Sequence, residues 1–189
     1  MPLHIPTAPA AAERSIRTAL NSSTVTSPHP LHLGRGSLEP VSPLPVHRLS
    51  SVSGVIDPPP ARLTGWRFLL TRDGRPVGAA ETMLTADGWA FSHFCEGPYI
   101  ASTERALSLA ESLPADHQPR LLSIPELYML TLWLHSDPEA DPETGSPLPH
   151  DLLMPLAPAP PGIAADHAVR TDALLPLLTS RLAPVGLAS

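Results

Sequence analysis

A chain of 189 residues with net charge −6 and one cysteine, Cys95, has room for one ordinary domain and no internal disulfide. Its twelve basic residues are all arginine and are scattered, which argues against a nucleic-acid-binding face and against attraction to anionic membranes. The longest apolar run, Leu127 to Leu134, falls far short of the roughly 20 residues of a membrane helix.

The start, Met1 to Ala12, lacks a cationic n-region and is interrupted by Pro2, Pro6 and Pro9, a poor signal peptide. A single free thiol suits a reducing compartment, so the expected location is cytoplasmic. Residues 10–20 predict a short helix, with Ile16 and Leu20 four apart among alanines. From Asn21 to Pro60 the chain is rich in Ser, Thr, Pro and Gly, and residues 1–64 read as an N-terminal arm. His29 and His32 form an H-x-x-H pair, but Pro30 denies the helix that would aim both rings at one metal. Val46, Leu49, Val52, Val55 and Ile56 suit an extended segment along the domain, ending at Arg62 and Leu63.

All eight Phe, Trp and Tyr residues fall between Trp66 and Trp133. Residues 65–135 are therefore read as the compact domain, close to the size where one core barely suffices. Trp66 to Thr71 and Val77 to Leu84 predict a hairpin around Asp73-Gly74, because a type I′ turn needs positive φ at both positions. That turn pairs Leu70 with Val77, Phe68 with Ala79, and Trp66 with Glu81. A second turn at residues 86–88 leads into a third strand, Trp89 to Cys95. Regular alternation puts Ala90, Ser92 and Phe94 on the Trp66 face. It puts Trp89, Phe91, His93 and Cys95 on the other, beside Leu69, Ala80, Thr82 and Leu84.

After Gly97-Pro98, Ser102 or Thr103 is expected to cap a helix with an apolar stripe of Ala106, Leu109, Ala110 and Leu113, stopped by Pro114. Its expected seat is the Trp66, Phe68 and Phe94 face. Arg120 to Ile124 predicts a strand. Leu127 to His135 reads as another strand or a bent continuation; Leu127 to Leu134 is almost wholly apolar, so aromatics and length favour strand while the Leu and Met content keeps helix open. Residues 136–189 read as a C-terminal arm: a solvated acidic loop at Ser136 to Gly145, a short apolar stretch at Leu152 to Leu156, then a terminal helix at Thr171 to Leu182 limited by Pro176.

The fold class expected is α+β: a small antiparallel sheet of four to five strands with one main helix, flanked by long Pro-rich arms. One helix covers one sheet face, which leaves Trp89, Phe91, Leu84 and Leu69 as an interface candidate. The leading expectation is a non-catalytic interaction or accessory module that binds a protein partner or itself. The alternative is an enzyme or small-molecule binder built on Glu81, or on His93 and Cys95 as an imidazole–thiol pair. The plainer readings of the same residues are Glu81 paired with Arg120 or Arg67, and Cys95 as a buried structural cysteine. A third reading is a cargo protein addressed by its Pro-rich N-terminal arm. No nucleotide or metal motif of the common spacings occurs, so no cofactor and no metal are expected.

The stretches Gly65-Trp66-Arg67-Phe68-Leu69, Gly97-Pro98-Tyr99-Ile100 and Ile124-Pro125-Glu126-Leu127-Tyr128 resemble those of small uncharacterised actinobacterial proteins. The absence of lysine and the abundance of Pro and Ala fit a GC-rich genome. The resemblance covers the central domain and implies no activity.

Overall fold

The computed structural model describes residues 3–22, 37–49 and 60–182. The His29/His32 pair and Val52, Val55 and Ile56 lie outside the described residues. Helix α1 spans Ala10–Asn21 and is followed by strands β1 (Glu39–Leu49), β2 (Ala61–Arg72), β3 (Arg75–Thr85) and β4 (Gly88–Cys95). Helix α2 (Pro98–Glu111) leads to β5 (Gln118–Ile124), a 3-10 turn at Pro125–Leu127, and β6 (Met129–His135). Strands β7 (Leu152–Pro155) and β8 (Val169–Arg170) precede the last helix, α3 (Thr171–Leu182).

The strands form one mixed sheet of eight, ordered β4-β3-β2-β1-β5-β6-β7-β8. Every pair is antiparallel except β1 and β5, which run parallel over Val46–Arg48 and Leu121–Ser123. This corrects the expected small antiparallel sheet with one main helix. Three of the strands, β1, β7 and β8, come from the stretches read as Pro-rich arms. Prolines misled that reading for a local reason. Pro40, Pro43 and Pro45 lie in the part of β1 that pairs with β2 alone, and β5 joins only at Val46–Arg48. A residue without an N–H is tolerated where one side of the strand has no neighbour.

Alternation in the central strands assigns the helices to faces. Leu121, Leu130, Leu132 and Leu134 pack with Ala106 and Ala110 of α2. Leu122, Ile124, Met129 and Trp133 point the other way and pack with Leu174, Leu175 and Leu178 of α3. Ala12 and Ile16 of α1 are fully buried against Trp66, Phe68 and Leu70. The pairing of Val46 with Leu121, and of Leu44 with Arg67, carries the parity across the sheet. It puts α1 and α3 on one face and α2 on the other. The expected helix at residues 10–20 is thus present and does a different job, covering the aromatic face that α2 was expected to cover. Burying Ile16 alone contributes roughly 1.5–3 kcal/mol. The Glu13–Arg17 pair, 2.7 Å apart at i,i+4 spacing, favours the same helix.

Helix α2 starts earlier than expected. Pro98 takes the first helical position and Gly97, at φ 108°, precedes it. Ser102 and Thr103 are buried inside the helix and do not cap it. The Ser102 hydroxyl donates to Asp166 at 3.0 Å and accepts from the Ala157 amide at 2.8 Å, tying the helix to the segment after β7. Leu127 to His135 resolves into the end of the 3-10 turn, Tyr128 at φ 50°, and strand β6.

Candidate functional site

The β3–β4 hairpin carries the residues that the sequence singles out, and irregularities in its ladder decide where they point. The Asp73-Gly74 turn forms as read, with φ 51° and 74° at the two positions. A register shift next to it, between Leu70 and Thr71, leaves Val77 unmatched. The pairs become Arg67 with Glu81, Phe68 with Ala80 and Leu69 with Ala79, one step from those expected. The two-residue turn before β4 is at Ala86 and Asp87, and a second shift between Glu81 and Thr82 leaves Ser92 unmatched. Glu81 then faces His93, and Thr82 faces Phe91. A bulge re-aims the side chains on one side of it, and neither was visible in the regular alternation.

Two groupings follow. Trp89, Phe91 and Phe94 all join the Trp66 and Phe68 face and pack in the cluster beneath α1. The Phe91 and Phe94 rings are 4.7 Å apart, centroid to centroid. The expected division of these aromatics between opposite faces is therefore corrected, and with it the uncovered aromatic face. Of the four interface candidates, Trp89 and Phe91 are half-buried, Leu84 is exposed, and Leu69 is buried on the far face beside Ala79 and Ile100.

On that far face the structure brings together Glu81, His93 and Cys95. One ligand-capable atom from each lies within 4.8 Å of the other two. Arg67 completes the group. Its Nε donates to Glu81 Oε1 at 2.6 Å, and its Nη2 reaches the same oxygen. The second carboxylate oxygen, Oε2, lies 3.8 Å from His93 Nε2. The other ring nitrogen, Nδ1, is 3.0 Å from the Ser92 hydroxyl. Glu81 and Cys95 are half-buried, whereas His93 is exposed.

Burial pushes the Cys95 thiol up to about 11, and the Glu81 charge adds to the shift while Arg67 opposes it. Near neutrality this sulfur is protonated, the opposite of what a nucleophilic thiolate requires. Glu81, a carboxylate on an otherwise apolar expected face, has its charge partner in Arg67, one of the two arginines expected for it. The one-step register shift sets the two opposite each other, where the regular hairpin placed Trp66 opposite Glu81. The residue that regular alternation missed is Ser92, unmatched in the ladder and 3.0 Å from His93 Nδ1.

No family model, curated protein or solved structure matches this chain.

The outer edge of β4 is the other feature of the hairpin. Strand β4 ends the sheet, and among the described residues no strand pairs with its far side. Its sequence, Gly88-Trp89-Ala90-Phe91-Ser92-His93-Phe94-Cys95, holds no proline, lysine, arginine or carboxylate. Met83 and Leu84, next to it on β3, are 47 % and 62 % exposed. At the opposite end of the sheet β8 is two residues long. A cleft of about 270 Å³ lies elsewhere, between the N-terminal segment and β1, lined by Pro6, Ala8, Glu13, Pro40 and Phe68 among others. Its one carboxylate, Glu13, is paired with Arg17. No helix is long and apolar enough to cross a membrane among the described residues.

Proposed function

We propose that this protein is a non-catalytic interaction module of the cytoplasm that works as a homodimer joined through the outer edge of β4. The observation that carries the reading is the chemistry of that edge. Exposed edge strands are normally blunted by lysine, proline, brevity or a bulge, and of these β4 has only the bulge at Ser92. Strand β8 is short, but β4 is eight residues long, without lysine, arginine, proline or a carboxylate, and among the described residues no strand pairs with its outer side. Antiparallel pairing of two such edges is isologous, so a second copy supplies the complement with no further surface.

Light scattering on the full chain, in the presence of a chelator, tests this reading. The expected result is a dimer that dissociates when Ser92 is changed to Lys, or Ala90 to Lys, with the far-ultraviolet circular dichroism unchanged. A monomeric wild-type chain overturns it, as does a dimer indifferent to both substitutions.

A further inference from the structure

We propose that Glu81, His93 and Cys95 form a binding site for a zinc-like divalent transition-metal ion, with one coordination position open to solvent. The donors are a carboxylate, an imidazole and a thiol, the set that borderline-soft divalent ions accept and that magnesium and calcium do not favour. They belong to adjacent strands and share a face only because the bulge at Ser92 sets His93 opposite Glu81. Without that extra residue, Ser92 would oppose Glu81 and His93 would point to the aromatic side.

The neighbours orient the donors as the outer partners of a metal site do. Arg67 occupies Oε1 of Glu81 and leaves Oε2 toward His93. The Ser92 hydroxyl stands by His93 Nδ1 at 3.0 Å; with the proton on Nδ1, the lone pair of Nε2 faces Glu81. Bonds of roughly 2.0–2.3 Å at tetrahedral angles put donors roughly 3.3–3.8 Å apart. Separations within 4.8 Å need only a small closing movement, and the exposed His93 side chain is free to make it. Binding forms a metal–sulfur bond at Cys95 and releases the thiol proton to solvent, with no change in oxidation state. The thiolate and the Glu81 carboxylate neutralise the ion's double charge, and the Arg67 guanidinium is left over as a net positive charge. The fourth position faces the exposed side of His93, where water or an anionic ligand completes the coordination.

The test is titration of the full chain with cobalt(II) in a thiol-free reductant, read by optical absorption. Because Cys95 is the only cysteine, a thiolate-to-cobalt charge-transfer band reports this residue alone. The expected result is one equivalent of cobalt bound with that band and displaced by zinc. Cys95→Ser is expected to abolish the band. His93→Gln, at an exposed position that leaves the fold intact by circular dichroism, is expected to weaken binding by more than about tenfold. Glu81→Gln is expected to weaken binding while the band persists at saturation. Absence of the band in the wild-type chain overturns the proposal. So does a band whose cobalt affinity is unchanged in His93→Gln.

Discussion

Arg120 lies wholly out of contact with solvent, and among the described residues its guanidinium has no carboxylate in hydrogen-bond reach. It donates to Gln118 Oε1 at 2.8 Å and to the carbonyls of Thr144 and Asp141 at 2.6 and 3.0 Å. It also stacks over the Trp133 ring at 4.8 Å. Burial brings it down to about 10, with Asp151, Asp141 and Asp137 opposing the shift. Arg120→Met keeps the bulk and removes the donors, leaving the loop carbonyls unpaired. The expected loss is about 2–3 kcal/mol of unfolding free energy by urea denaturation. His47 sits beside it, its Nε2 donating to the Pro142 carbonyl at 2.9 Å. Burial, aided by the Arg120 and His135 charges, lowers it from 6.5 to about 4 against the pull of that hydrogen bond and of Asp141. His135 is lowered too, again chiefly by burial. Between pH 6.5 and about 4 the unfolded chain therefore binds more protons than the folded one. Stability is full above that window and falls as the pH drops through it, on the order of 3 kcal/mol from His47. Denaturation midpoints across this range are expected to fall steeply in the wild type and less steeply in His47→Gln. Glu81 and the His93–Cys95 pair were legible as two separate oddities. Their union on one face was not, because it hangs on one unmatched residue, Ser92, in the β3–β4 ladder.

Elements were legible where their signal was local. The Asp73-Gly74 hairpin, α1, and the Thr171–Leu182 helix follow from turn chemistry and apolar spacing within a few residues. Strand β1 was not legible, since three prolines in eleven residues resemble a linker until the strand's one-sided pairing is known. Gly65 shows the reverse case, a residue whose requirement is clear only in three dimensions. A Cβ built there would stand 2.0 Å from the Thr82 carbonyl oxygen, where the next amide, that of Trp66, donates to Thr82 Oγ1 at 3.1 Å. Rigid backbone on both sides leaves nothing to give way. Gly65→Ala is expected to cost about 3 kcal/mol or more, seen as an earlier midpoint in thermal or urea unfolding. A Gly65→Ala chain as stable as the wild type would contradict the close approach of β2 and β3.

At the scale of the whole molecule, the aromatic middle does not fold as a unit with appended arms. Strands from both flanks complete the sheet, and helices from both flanks cover one of its faces. The two meanders, β1–β4 and β5–β8, meet through three residue pairs. Loop backbone from residues 138–146 spans that junction. It accepts from His47 on one side and from Gln118 and Arg120 on the other, and the Ser146 hydroxyl accepts from the Ala61 amide at 2.9 Å. Its three carboxylates, Glu139, Asp141 and Glu143, face water, as the acidic composition suggested. The clasp over this join is thus fastened on one side by His47, the imidazole that burial lowers to about 4. Protonating His47 removes that fastening, so amide exchange at residues 46–48 and 121–123 is expected to quicken as the pH falls toward 4.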